Sequence, residues 1–146
     1  METAREIALT RLQAGATGDV FWRAAFILRG TNGVAAALAR AYASPALVPP
    51  SPWLGETPAG KPLLYLRSMG RATSLSWKPS GGGQVWQWFI QQKFGGNWRA
   101  EILPASQTNL LFNSGGSPLL PQAVAVTAVT RFGHTSPAAV AELEPH

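Results

Sequence analysis

Apolar and polar positions change their pattern near residue 60. Downstream, short runs alternate apolar with polar residues and are broken by Gly, Pro or Ser about every ten residues, the period-2 signature of antiparallel strands in a sandwich. Seven strands are predicted: Pro62–Arg67, Thr73–Lys78, Val85–Phe94, Trp98–Leu103, Thr108–Phe112, Ala123–Thr130 and Ala138–Glu142. In the second strand Thr73, Leu75 and Trp77 share one face, which places Trp77 in the core. In the third, Trp86, Trp88 and Ile90 share a face opposed by Val85, Phe89 and Gln91, so Phe89 is the candidate exposed aromatic.

Upstream the pattern differs. Ile7 to Leu12 alternates and then meets Gly15 and Gly18, predicting a short strand and a turn. Asp19 to Leu28 is apolar on both faces, as a buried strand running into a short helical turn would be. Thr31 or Asn32 offers an N-cap for an amphipathic helix over Val34–Tyr42, in which Val34, Leu38, Ala41 and Tyr42 recur at helical spacing and Pro45 prevents continuation. Two strands and a helix make an incomplete β/α unit, because parallel strands need a crossover and cover on both faces. Pro45, Pro49, Pro50 and Pro52 then suit an extended, semi-rigid linker carrying Trp53, which either docks a partner or packs on the sandwich. The expected organisation is a β/α unit over 1–45, a proline-rich linker over 46–60 and a β-sandwich over 61–146.

Composition narrows the classes. At 146 residues, 46% hydrophobic and 13% charged, the chain holds one globular domain with attachments. The net charge of +5 raises nucleic-acid binding, but the basic residues are spread evenly from Arg5 to Arg131 without the cluster that phosphate recognition needs. With no Cys there is neither a disulfide framework nor a thiolate metal site. The first thirty or so residues interleave charged and apolar positions, so they read as neither an export signal nor a membrane span of about 20 residues.

Trp77 in the second strand, the aromatic third strand and the run Val126–Pro137 with its hairpin resemble the fibronectin type III domain. The resemblance implies a mainly β, seven-stranded, immunoglobulin-like sandwich. The family's tyrosine corner would fall near Gln122, where this chain has no Tyr, so a lower stability is expected. Both parts together, through Ile7-Ala8-Leu9-Thr10-Arg11, Gln13, Gly15, Gly18, Leu28-Arg29, Gly33, Ala37-Leu38, Ala46–Pro49 and Pro52–Leu54, resemble the C-terminal end of bacterial glycosyl-hydrolase-like family ten proteins. In that family a TIM-like barrel is often followed by such a module. The resemblance implies that residues 1–45 are the last β/α unit of a barrel and that the longer protein is a glycosidase, in the cell envelope or secreted. At Phe21 and Arg23 the chain departs from the polar pair expected after the glycine turn, which argues against an active-site contribution there.

Candidate chemistry is sparse. Glycoside hydrolysis needs two carboxylates about 5–5.5 Å or 6.5–9.5 Å apart, and Glu2, Glu6, Asp19, Glu56, Glu101, Glu142 and Glu144 stand at no motif that would pair them. Asp19 reads as a turn residue. His134, in a hairpin turn, and His146 lack metal-ligand spacing. No Ser has a nucleophile-elbow setting. The run Lys78–Gly83 is glycine-rich but joins antiparallel strands and precedes no helix, so it reads as a flexible loop rather than a phosphate loop. No catalytic, cofactor-binding or metal-binding residue is expected.

The sequence therefore predicts a non-catalytic accessory module of a glycosyl-hydrolase-like envelope protein. Its partner would be an upstream barrel, or a second copy reached through Val20, Phe21, Phe26 and Ile27. Two alternatives stand beside this: a carbohydrate-binding module that stacks sugars on exposed aromatics, and a protein-interaction module. The candidate contact residues are Trp53, Phe89, Trp98 and Phe132.

Overall fold

The computed structural model describes residues 2–16, 18–21, 23–30, 33–55, 57–70, 72–113 and 120–143. The expected caps Thr31 and Asn32, and the acids Glu56 and Glu144 with His146, lie outside the described residues, as does the side chain of Phe26. The chain divides into two compact units, Met1–Ser44 and Pro45–His146.

The first unit is helical, with α1 (Glu2–Leu12), α2 (Ala24–Leu28) and α3 (Val34–Ala41). The strands expected at Ile7–Leu12 and within Asp19–Leu28 are absent among the described residues. The reason is local. Residues 2–12 are rich in Glu, Ala, Arg and Leu, all strong helix formers, and a helix satisfies its own backbone groups where no sheet edge offers partners. Between α1 and α3, Ile7, Val34 and Ala37 are buried. The Arg11 guanidinium donates to the Ala41 carbonyl at 2.6 Å and lies 5.2 Å from the centroid of the Tyr42 ring. The Tyr42 hydroxyl in turn donates to Asp19 at 2.7 Å, so Asp19 serves as the acceptor that fastens the C-terminal end of α3. α2 begins after Arg23, whose φ of 71° lies in the left-handed region and costs roughly 1–2 kcal/mol for a residue with a Cβ.

The second unit is the predicted sandwich. Its strands are β1 (Leu63–Met69), β2 (Ala72–Lys78), β3 (Val85–Phe94), β4 (Asn97–Pro104), β5 (Asn109–Asn113), β6 (Ala123–Thr130) and β7 (Ala139–Glu142). They form two antiparallel sheets, ordered β1-β2-β5 and β4-β3-β6-β7. Leu75 and Trp77 from one sheet meet Trp88, Ile90, Leu103, Val124, Val126 and Ala128 from the other. Alternation dictates this, since every second residue of a pleated strand points to the same face. The Trp77 and Trp88 rings meet edge to face, with centroids 6.2 Å apart and planes at 74°. The Trp88 indole N–H donates to the Ala105 carbonyl at 3.2 Å.

β6 lies between β3 and β7 and is buried on both faces from Val124 to Thr130, which its small and β-branched residues permit. Where a tyrosine corner would tie its start, backbone bonds do so: the Gln122 N–H donates to the Lys93 carbonyl, and the Gln122 carbonyl accepts from Leu143 N–H, each at 2.8 Å. At its other end the Ser136 hydroxyl accepts from the Ala128 N–H at 3.0 Å and donates to the Pro137 carbonyl at 2.9 Å.

Residues 45–60, expected as a linker, belong by their contacts to the sandwich unit. The Ser51 N–H donates to the Phe132 carbonyl at 2.9 Å, the Gly60 N–H to the Gly81 carbonyl at 2.8 Å and the Gly83 N–H to the Pro58 carbonyl at 3.1 Å, while Ala59 bridges Gly82 and is buried. The glycine run read as a flexible loop is thus a clasp. A Cβ at Gly83 would fall on the Thr57 carbonyl, and one at Gly82 would come within 2.5 Å of the Pro58 carbonyl. Glycine is required there because two backbones approach too closely for any side chain. At the opposite end of the segment, Gly133, at φ 80°, sits against the Val48 and Pro49 carbonyls in the same way.

Candidate functional site

The four candidate contact residues separate into two places. Phe89 and Trp98 lie on the outward face of the β4-β3-β6-β7 sheet, because Phe89 pairs with Ile102 and Thr127 while Trp98 pairs with Lys93. Phe89 is half-buried and Trp98 is 51% exposed. Trp53 sits instead on a short 3-10 turn, Pro52–Leu54, and is 79% exposed, so its ring does not pack on the sandwich. Phe132 is half-buried in the β6–β7 turn, where its carbonyl holds the Pro45–Gly60 strap.

Trp86 is the residue that strict alternation misplaces. The β3–β6 register shifts between Val85 and Gln87, so Trp86 is the extra residue of a β-bulge. Upstream of the bulge the parity of β3 reverses: Val85 packs against the core, and Trp86, expected inside, is 56% exposed. The Arg131 guanidinium covers its ring at 5.6 Å from the centroid, a cation–π contact. Glycines and polar residues at the β2–β3 connection were the available sequence signal for an irregular strand start, but they do not locate the extra residue.

The outward face therefore carries Trp86, Phe89 and Trp98, with Gln87, Gln91 and Lys93 between them on β3. Beside that row, Ala125 and Thr127 on β6 are small and lie low, and Val140 on β7, opposite Ala125, stands 59% exposed. The outward positions of β3, β4 and β6 hold no carboxylate, and Glu142 on β7 is the acid of this face. The outward face of the β1-β2-β5 sheet is different: Leu63, Tyr65, Met69 and Leu111 are about half exposed around Ser74 and Ser76.

Besides a hollow of about 550 Å³ at Trp86, Gln87, Ile102 and Pro104, two others bear on the clasp and the strap. One, about 410 Å³, lies under the glycine clasp and is lined by Gly81–Val85, Trp88, Ala105 and Thr108. The other, about 370 Å³, lies between the strap and the β6–β7 turn, where the His134 Nε2 is buried without a hydrogen-bond partner. Among the described residues no group of three or more His, Cys, Asp or Glu could hold a metal ion, and no helix is long and apolar enough to cross a membrane. In the sandwich unit Glu101 and Glu142 are exposed on β4 and β7, and in the helical unit Asp19 is engaged with Tyr42. That hydrogen bond, followed by loss of water and by the Asp19 charge, holds the Tyr42 phenol above its ordinary pKa, while Arg11 opposes the shift.

The strand order, the paired sheets and the tryptophan core define a fibronectin type III-like β-sandwich. No family model matches the chain, and no curated protein does. Several solved structures are similar at low identity. The chain resembles the fibronectin type III domain of human collagen XX at 16% identity and TM-score 0.44, covering 67% of this chain and 100% of that domain. It resembles a computationally redesigned β-sandwich protein at 15% identity and TM-score 0.43, covering 58% and 93%. It also resembles pectate lyase PelI from Erwinia chrysanthemi at 16% identity and TM-score 0.42, covering 55% of this chain and 27% of the lyase, so the match spans about a quarter of that enzyme.

Proposed function

We propose that the chain is a non-catalytic accessory module that works attached to, or docked against, a larger partner. The observation that carries this reading is the inequality between the two units. The sandwich closes its own core, whereas the helical unit buries Ile7, Val34 and Ala37 and leaves Leu9, Leu12, Val20 and Leu28 more than half exposed. Apolar side chains left in water at about 25 cal/mol per Å² favour a partner that covers them. The finer assignment, to a glycosyl-hydrolase-like envelope protein with a barrel upstream, is supported by the sequence resemblance at Ala46–Pro49 and Pro52–Leu54, whereas over Ile7–Arg11 the helix α1 stands where that resemblance implies a barrel strand.

Light scattering on the purified full chain tests the docking role. The expected result is a mass above that of the monomer, or capture of an upstream barrel domain supplied in trans, lost on substituting Leu9, Val20 and Leu28 with Gln. A monomer that stays soluble and binds no such domain overturns it. Hydrolysis of a polysaccharide by the chain alone, abolished at one of its acids, overturns the non-catalytic part.

A further inference from the structure

On the outward face of the four-stranded sheet the aromatic and cationic side chains stand in one band. Trp86 with Arg131 occupies one end, Phe89 and Gln91 the middle, and Trp98 with its cross-strand neighbour Lys93 the other. From Gln87 to Lys93 the strand rises about 20 Å at roughly 3.3 Å per residue, so the band matches an extended polymer rather than a single small ring. We propose that this band binds a chain of uronic-acid sugars, an anionic polysaccharide.

Three features select that chemistry. Exposed aromatic rings offer flat apolar faces to the flat apolar faces of pyranose rings. Glutamine amides between them both donate and accept, as sugar hydroxyls require, whereas phosphate only accepts. The cations Lys93 and Arg131 stand at the two ends with no carboxylate at the outward positions of β3, β4 or β6, and the acid of this face, Glu142 on β7, stands across Ala123 from Lys93, so the band itself complements a polymer bearing spaced carboxylates. A single-stranded nucleic acid uses aromatics and cations too, but it brings a phosphate with every base, and two cations at opposite ends of the band do not follow such a backbone. The inference takes from the accessory-module reading only that this site binds without cleaving.

Affinity electrophoresis of the full chain through gels containing polygalacturonate, its fully methyl-esterified form or poly-dT tests the proposal, with tryptophan fluorescence titration in parallel. Saturable retardation is expected with polygalacturonate and is expected to weaken as salt is raised. Trp86→Ala and Trp98→Ala should each weaken it about tenfold or more, and Lys93→Gln and Arg131→Gln about threefold. Arg67→Gln, which removes the same charge from the outward face of the other sheet, should leave retardation at the wild-type value. Equal loss in Arg67→Gln would show attraction to net positive charge alone and overturn the proposal. Equal binding of the methyl ester, stronger binding of poly-dT or no saturable binding would each overturn it as well. Chain cleavage accompanying saturable binding would leave this site standing and overturn the non-catalytic reading instead.

Discussion

Leu12 in α1 and Val126 in β6 are both apolar side chains on regular elements, yet Leu12 is 83% exposed and Val126 is fully buried. The difference lies in what surrounds them. β6 has a strand on each side and a second sheet across the core, so its side chains lose water on both faces. Among the described residues of 1–44, packing of α1 on α3 covers little beyond Ile7, Val34 and Ala37. Secondary structure alone contributes little net stability to such short helices, since most helical stability comes from packing an apolar face. The sandwich with its strap thus closes a core of its own, whereas the helical unit leaves Leu9, Leu12, Val20 and Leu28 exposed.

The widest gap between the units should appear in a pair of truncations. Trp88→Ala removes a buried ring from the centre of the sandwich and should cost about 3–5 kcal/mol. Leu12→Ala should change stability by less than about 0.5 kcal/mol, both values read from denaturant midpoints. Comparable costs would erase the distinction.

A smaller effect sharpens where the sandwich unit begins. Gly83→Ala forces a Cβ onto the Thr57 carbonyl, so the clasp must open, at a cost of about 1–3 kcal/mol. Limited proteolysis should then cut between Leu47 and Gly60, where the wild-type chain resists. Unchanged resistance would mean that residues 45–60 are held by something other than the clasp.

The smallest effect belongs to the helical unit. Tyr42 holds its proton through the bond to Asp19, so its folded pKa lies above the ordinary tyrosine value. That fastening is present below the ordinary tyrosine pKa and is lost as pH rises through the higher, folded value. In a Tyr65→Phe background, ultraviolet absorbance titration should show Tyr42 ionising late, and Asp19→Asn should bring it back toward the ordinary value. An unshifted curve with Asp19 intact would show that the contact does not hold in solution.

How much of this was legible in the sequence follows from range. The seven strands appear within about two residues of their predicted limits, because alternation and turn residues are local signals and this sandwich obeys both. Trp86 broke the pattern because one inserted residue reverses parity, and that insertion is set by pairing with β6 some forty positions downstream. The glycine clasp was legible as glycine but not as a clasp, since its reason is the approach of Thr57 and Pro58. In residues 1–44 the short alternation at Ile7–Leu12 suggested a strand, and helix propensity prevailed because no edge was present to pair with it. Phe89 and Trp98 could be named as aromatics, but their sharing a face depends on the β3–β4 register.

Residues 45–146 are expected to fold without residues 1–44. Chemical denaturation of the full chain and of a 45–146 fragment, followed by tryptophan fluorescence, measures this. One cooperative transition with the same midpoint is expected in both, because the tryptophans of the core, Trp77 and Trp88, lie within the fragment. A fragment that is unfolded or clearly less stable than the full chain would contradict it.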